Sequence, residues 1–350
     1  MESAAAQMSG AARAMPRLDV AFDRRITSHM SAGMTLYVRK LVELLPRIAP
    51  DLTFAAIGAG DNFDAAEQLA LPLTIARRRP RLVHIPTPFV PLFVPAPFVV
   101  TIHDLIDLHF PQFGKRKVGP YYRYAVGPAA RRARAVITDD AATAGDLERL
   151  LGVDPACIRI VPLGVDLPAA PEPARAGGPP YFLYVGNHRG HKDLATLVRA
   201  WAALPEALEV DLLFTGRDDV GPALAGPARR RGKLFFTGDV TELELAGLYR
   251  GARAYVHPAL REGFGLPMLE AMRAGTPVIA AHTALPGVLA PHALAFTAGD
   301  WAGLRAQLLR ALDEPAWFAE LGRAAQAATR DLTWEQTARA TAAVYRELLG

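Results

Sequence analysis

Short unbroken apolar runs recur along the chain, each ended by a polar, Gly or Pro break. In the first half they are Leu18 to Phe22, Thr53 to Ile57, Leu82 to Ile85, Phe98 to Ile102, Ala135 to Thr138 and Ile158 to Pro162. In the second they are Tyr181 to Val185, Val210 to Thr215, Lys233 to Thr237, Arg253 to His257 and Val278 to Ala281. Continuous rather than alternating apolar character is what strands covered on both faces require. Elsewhere the spacing lengthens to that of a helix. Leu36, Val38, Leu41, Leu44 and Leu45 predict one over Thr35 to Leu45, and Asp139 and Asp140 read as structural N-caps for another ending near Leu151. Three more helices, Leu304 to Leu312, Trp317 to Ala328 and Trp334 to Leu349, close the chain. Strands alternating with helices predict an α/β fold with mostly parallel sheets.

The stretch from Leu167 to Pro180, LPAAPEPARAGGPP, breaks this pattern with Pro, Ala and Gly and reads as a linker. It divides the chain into a first domain over 17–166 and a second over 181–332, with a last helical segment over 333–350. Residues 1–16 carry no periodic pattern and are expected to be disordered. A length of 350 residues, 51% of them hydrophobic, suffices for two cores. The single Cys157 can neither close an internal disulfide nor build a cysteine-based zinc cluster. No window approaches the roughly 20 apolar residues of a membrane span, and the start lacks a secretory pattern, so a cytoplasmic protein is expected. Formal charge is only +4, but basic residues cluster at Arg77, Arg78, Arg79 and Arg81, at Lys115, Arg116 and Lys117, and at Arg131, Arg132 and Arg134. Such clusters suit peripheral contact with an anionic membrane, or simply a solvated face.

The chemistry concentrates in RARAYVHPALREGFGLPMLEAMRAGTPVIAA, which reads as strand, Gly-rich loop, helix from Pro267, and strand. Such a loop aims backbone N–H groups and a helix dipole at an anion. Glu262 and Glu270 bracket it and suit a ligand with phosphate in the middle and hydroxyls at both ends, which a nucleotide sugar is. The plain alternative makes Glu270 a partner of the helix dipole and Glu262 a solvated loop residue. A second strand-to-helix passage, GNHRGHKDLATLVRAW, offers Gly186, Gly190 and Lys192 to phosphate oxygens, although its spacing is not that of a P-loop. His103 and Asp104 follow a strand, where ligands of parallel sheets bind. Gly33, the one glycine of the first strand-to-helix loop, is a further backbone candidate for the donor. That loop has no G-x-G-x-x-G, which disfavours a dinucleotide oxidoreductase. The chain also lacks Asp-x-Asp and HExxH, and His188 and His191 read as loop residues, so no metal or other cofactor is expected.

EGFGLPMLEAMRAGTPVIA resembles the Glu-x7-Glu signature of the retaining glycosyltransferases of family 4, which have the GT-B fold of two Rossmann-like domains facing across a cleft. The resemblance implies that Glu262 touches the donor sugar, that the backbone of Gly263, Phe264, Gly265 and Leu266 holds the distal phosphate, and that Glu270 binds ribose. It carries His103 toward the transferred sugar and Lys192 to the diphosphate. Asn187 stands where that family usually has an Arg, and Arg189 is the candidate substitute. The strand ends at Gly216 and near Val240 join the donor site, the second against the base, and the last helix should cross back onto the first domain. IHDLIDLHFP looks most like the mannosyltransferase branch, which implies GDP-mannose as donor and a glycan or lipid-linked acceptor, with no nucleic-acid partner. No residue is placed as a covalent nucleophile. The non-enzyme alternative is a catalytically silent nucleotide-sugar-binding protein of the same fold.

Overall fold

A computed structural model describes residues 18–26, 30–59, 66–113, 117–168, 173, 175, 177–219 and 232–350. The disorder expected for 1–16, and Lys115 and Arg116 of the second basic cluster, lie outside these residues, as does part of the Leu167 to Pro180 stretch.

Two six-stranded, wholly parallel sheets form the frame. The first contains β1 (Val20–Asp23), β2 (Phe54–Ile57), β3 (Leu82–Ile85), β4 (Phe98–Thr101), β5 (Ala135–Thr138) and β6 (Ile158–Ile160), in the order β2-β1-β3-β4-β5-β6. The second contains β7 (Tyr181–Tyr184), β8 (Asp211–Phe214), β9 (Leu234–Phe236), β10 (Ala254–His257), β11 (Val278–Ala281) and β12 (Leu294–Phe296), in the order β12-β11-β10-β7-β8-β9. This is the α/β, GT-B arrangement expected above. The inner strands β1, β3, β4, β5, β7, β8, β10 and β11 are buried along their whole length, which is why they read as unbroken apolar runs. The edge strand β12 is partly exposed and gave no such run.

The connections of the first sheet are α1 (Ala32–Ile48), α2 (Glu67–Arg78), α3 (Ile106–His109), α4 (Val118–Tyr121), α5 (Gly127–Arg132) and α6 (Ala141–Leu151). A π-helical turn, Tyr122–Val126, joins α4 to α5. The second sheet carries α7 (Leu194–Ala202), α8 (Glu242–Gly251), α9 (Leu266–Arg273), α10 (Trp301–Asp313) and α11 (Pro315–Ala328), and α12 (Trp334–Leu349) ends the chain. The last of these lies against the first unit. Tyr345 meets His84 Nδ1 at 2.5 Å, Arg346 pairs with Asp51, and Trp334 and Tyr345 share a buried cluster with Tyr37 and Leu41. Gly164 permits the approach, since a Cβ there would lie 2.0 Å from the Thr333 carbonyl carbon.

In each sheet the strand order reverses once, between β1 and β3 in the first and between β7 and β10 in the second. Ligands of open parallel sheets bind beyond the carboxyl ends of the strands at such a reversal. For the second sheet, the flanking loops are those that carry Lys192 and Glu262.

Candidate active site

Glu262 sits in the loop after β10, its side chain 16% exposed. Its Oε2 accepts from Lys192 Nζ and, at 3.1 Å, from His257 Nε2. His257 Nδ1 is therefore left to accept from the Tyr255 hydroxyl, at 2.8 Å. Burial alone would raise the Glu262 pKa, but the Lys192 charge and the His257 hydrogen bond outweigh it and hold the carboxyl well below the usual range. Oε1 accepts from no described residue, so one carboxylate oxygen is fixed and the other has no partner among them.

Lys192 stands just ahead of α7 rather than on it. It closes a 3-10 turn, Gly190–Lys192, and Asp193 at φ 48° separates that turn from α7. The turn carries its side chain inward, where it is 8% exposed, rather than along a solvent face.

The N-terminus of α9 completes the loop. Gly265 is its N-cap at φ 72°, where a Cβ would lie 2.1 Å from Met268 Cε. The helix starts at Leu266, one residue before the expected Pro267. Among the described residues, nothing accepts from the N–H groups of Gly263, Phe264, Gly265 or Leu266. Phe264 itself is 3% exposed and packs into the core, so only its backbone can serve a ligand. Glu270, one turn into α9, accepts from the Tyr249 hydroxyl at 2.8 Å. Burial raises its pKa to about 7, against the Tyr249 hydrogen bond and with help from the Glu242 charge. Tyr249 and Tyr255 meet edge to face at 5.9 Å, so contacts run unbroken from Lys192 through Glu262, His257, Tyr255 and Tyr249 to Glu270. Sequence reading missed these three scaffold residues. The signal available was Tyr255 and His257 two apart on β10, hence on one face of the sheet.

From the first unit, the end of β4 reaches this loop. A Cβ on Gly263 would lie 2.9 Å from the His103 carbonyl oxygen and 3.2 Å from Asp104 Cβ. Gly33 arrives from α1, where a Cβ would meet Leu266 Cδ1 at 3.3 Å. It lies inside the first helical turn rather than before it, because Ser31 caps α1 by accepting from Met34 N at 3.2 Å. The Asp139 assignment also changes. Asp140 caps α6, whereas Asp139 Oδ2 accepts from His103 Nδ1 at 2.7 Å. Burial pushes the His103 pKa down, but the Asp139 charge and hydrogen bond outweigh it, and the net direction is up. His103 Nε2 is buried without a partner among the described residues.

The other candidates are less engaged. Asn187 accepts from the Tyr184 hydroxyl at its carbonyl oxygen, 2.6 Å, and from Arg189 N at its Oδ1, 3.3 Å, so it shapes the turn and supplies no cation. Arg189 is exposed and forms no ion pair among the described residues. Gly216 bonds to Gly238 in both directions, at 3.0 and 2.9 Å, and Val240 packs against the core. His188 is held rather than loose, with Nε2 on the Thr215 carbonyl at 3.0 Å and Nδ1 on Asp219. Among the described residues, Arg261 pairs with Asp146 and Gly287 N donates to Asp140 Oδ1 at 2.9 Å, contacts that help tie the units together here. No set of three or more His, Cys, Asp or Glu able to hold a metal occurs among the described residues, and no helix among them is long and apolar enough to cross a membrane.

Comparison with known proteins places this chain beside glycosyltransferases. Residues 47–169 match the model of Glycosyltransferase Family 4, and residues 179–314 that of Glycosyl transferases group 1. The chain is 31% identical over 175 residues to O-antigen chain mannosyltransferase B of Escherichia coli, covering 48% of this chain and 46% of that protein. It is also 31% identical over 229 residues to MMP alpha-(1->4)-mannosyltransferase of Mycolicibacterium hassiacum, covering 63% of this chain and 56% of the relative. The chain thus spans about half the length of these curated relatives. Among solved structures, sucrose-phosphate synthase from Thermosynechococcus elongatus superposes with a TM-score of 0.75 at 22% identity, covering 95% of this chain and 99% of that one, which shows a shared fold.

Proposed function

We propose that this chain is a retaining hexosyltransferase that moves mannose from GDP-mannose to a glycan or lipid-linked acceptor. The observation that carries the reading is the Lys192–Glu262 pair at the strand-order reversal of the second sheet, beside four N–H groups with no acceptor among the described residues. Glu262 Oε1 is available to sugar hydroxyls, Glu270 to ribose, and the N–H groups with Lys192 to the diphosphate. In the reaction the bond from the anomeric carbon to the phosphate oxygen breaks, and one to the acceptor oxygen forms on the same face. The acceptor proton passes to the leaving phosphate. Charge growing on that phosphate meets donors fixed beforehand, so no metal is required. The mannosyltransferase relatives support the choice of sugar. Asn187, which supplies no cation, favours the second reading, a silent nucleotide-sugar-binding protein.

Thermal melting with GDP-, UDP- and ADP-sugars tests the donor. A ligand that binds only the folded state adds about 2.7 kcal/mol at a hundredfold excess over Kd. GDP-mannose is expected to raise Tm and the others not; a shift with UDP- or ADP-sugars alone overturns the base assignment.

His103 is assigned to the transferred sugar and Asp139 is its positioning residue, since the Nδ1–H bond to Asp139 keeps Nε2 as the atom for a ligand. Asp139→Asn is expected to lower turnover on the order of tenfold to a hundredfold through misorientation. Because Asp139 raises the His103 pKa, the pH–rate profile should also move to lower pH. A variant slower or less stable but with an unmoved profile would leave Asp139 a purely structural residue.

A further inference from the structure

We propose that the outer face of the first domain docks on an anionic lipid bilayer, with Leu69, Leu73, Leu92 and Phe93 entering the lipid and Arg77, Arg78, Arg79 and Arg132 meeting headgroup phosphates. The inference rests on reading the acceptor as lipid-linked and gives that contact its surface. The helix α2 is apolar on both sides. Leu71, Pro72 and Ile75 enter the core, while Leu69 and Leu73, four residues apart, stand 70% and 53% exposed on the opposite side. Its uncharged and acidic polar residues already have partners within the protein. Glu67 pairs with buried Arg25 at 3.7 Å, Gln68 accepts from Leu92 N at 3.2 Å, and the Thr74 hydroxyl donates to the Ala70 carbonyl at 2.8 Å. What remains outward is Leu, Ala and, at the end of the helix, exposed Arg77, Arg78 and Arg79.

The neighbouring loop adds a second apolar point. Leu92 and Phe93, 72% and 66% exposed, lie between Pro91 and Pro95, and Arg132 on α5 donates to the Leu92 carbonyl at 3.3 Å. The Gln68 and Arg132 bonds to Leu92 fix α2, the loop and α5 in one surface. Large exposed apolar side chains gathered in one place mark an interaction surface, and a rim of arginines selects an anionic partner. A bilayer supplies both chemistries at once, apolar interior beneath negative headgroups. Not every residue of the basic clusters takes part: Arg81 turns to Asp19 and the Leu349 carbonyl, and Arg131 to the Leu151 carbonyl.

Sedimentation with phosphatidylcholine vesicles, with and without one-third phosphatidylglycerol, tests the face. Wild type is expected to pellet with the anionic vesicles, and a Phe93→Trp variant to shift its emission to the blue with them. Leu69→Gln with Phe93→Gln should weaken binding about tenfold or more. Arg77→Gln, Arg78→Gln and Arg79→Gln together should weaken it on the order of a hundredfold and erase the anionic preference. A double apolar variant that binds like wild type, an unmoved Trp emission, or self-association of wild type through this face overturns the proposal. GDP-mannose titration of the same variants should be unchanged. Loss of donor binding in wild type would defeat the donor reading alone, and loss of vesicle binding the docking face alone.

Discussion

Lys192→Ala is expected to slow GDP release from GDP-mannose on the order of 10² to 10³-fold, the loss typical when one preorganised charge partner of a developing oxyanion is removed. The geometry gives the reason. Lys192 is held inward by the 3-10 turn ahead of α7, with its ammonium on Glu262 at the crevice where the donor phosphates are assigned. A cation fixed there need not reorganise as the phosphate takes on charge. Removing it also strips a shielded carboxylate of one of its two partners, which costs stability with or without donor. Turnover should therefore be read at saturating donor beside a melting curve. A stable variant with wild-type turnover would remove Lys192 from the phosphate site.

The second large effect separates the two glutamates. Glu270 is assigned to ribose, which GDP and GDP-mannose share, and Glu262 to the hexose, which only the donor has. Loss of a charged acceptor costs about 1.5 to 3 kcal/mol, so Glu270→Ala should weaken both ligands by tenfold or more. Glu262→Ala should leave GDP nearly unchanged and weaken GDP-mannose. Titration calorimetry of both variants with both ligands reads all four affinities. The acid–base states sharpen the contrast. Glu270 titrates near pH 7 while Lys192 and His257 keep Glu262 ionised far below that. Ribose hydroxyls donate best to the carboxylate, so GDP affinity should rise as pH climbs through about 7, with a proton released on binding below it. In the free protein the sign is opposite. The folded state holds the Glu270 proton that the unfolded chain gives up, so its contribution to stability is full at low pH and is lost as pH rises toward 7. Equal GDP loss in both variants, or a GDP affinity flat with pH, would show that the roles are not divided this way.

Much of this architecture was legible because the inner strands are buried on both faces and must be apolar throughout. The loop from Glu262 to Glu270 was legible because Gly265, at φ 72°, and the helix start at Leu266 impose local chemistry that the residues themselves carry. What escaped depends on distant partners. Asp139 and Asp140 look alike as caps; only the fold shows that Asp139 meets His103, 36 residues earlier, while Asp140 caps α6. The inward turn of Lys192 escaped because the left-handed Asp193 that ends it has no glycine to announce it. The sequence reading did not single out helix α2, where Leu69 and Leu73 on one side and Leu71 and Ile75 on the other blur the contrast between faces. That blur follows from the exposed apolar face assigned here to lipid.

The most direct test of glycosyl transfer is GDP release from GDP-mannose by the purified protein supplied with a panel of glycan and lipid-linked acceptors in the presence of a chelator, with the anomeric configuration of the new linkage read by NMR and donor affinity measured in parallel. The expected result is GDP released by wild type without added metal, the mannosyl product retaining the donor's anomeric configuration, and release nearly abolished in Lys192→Ala. Donor bound tightly by wild type yet recovered intact would contradict catalysis and make the chain the silent nucleotide-sugar-binding protein.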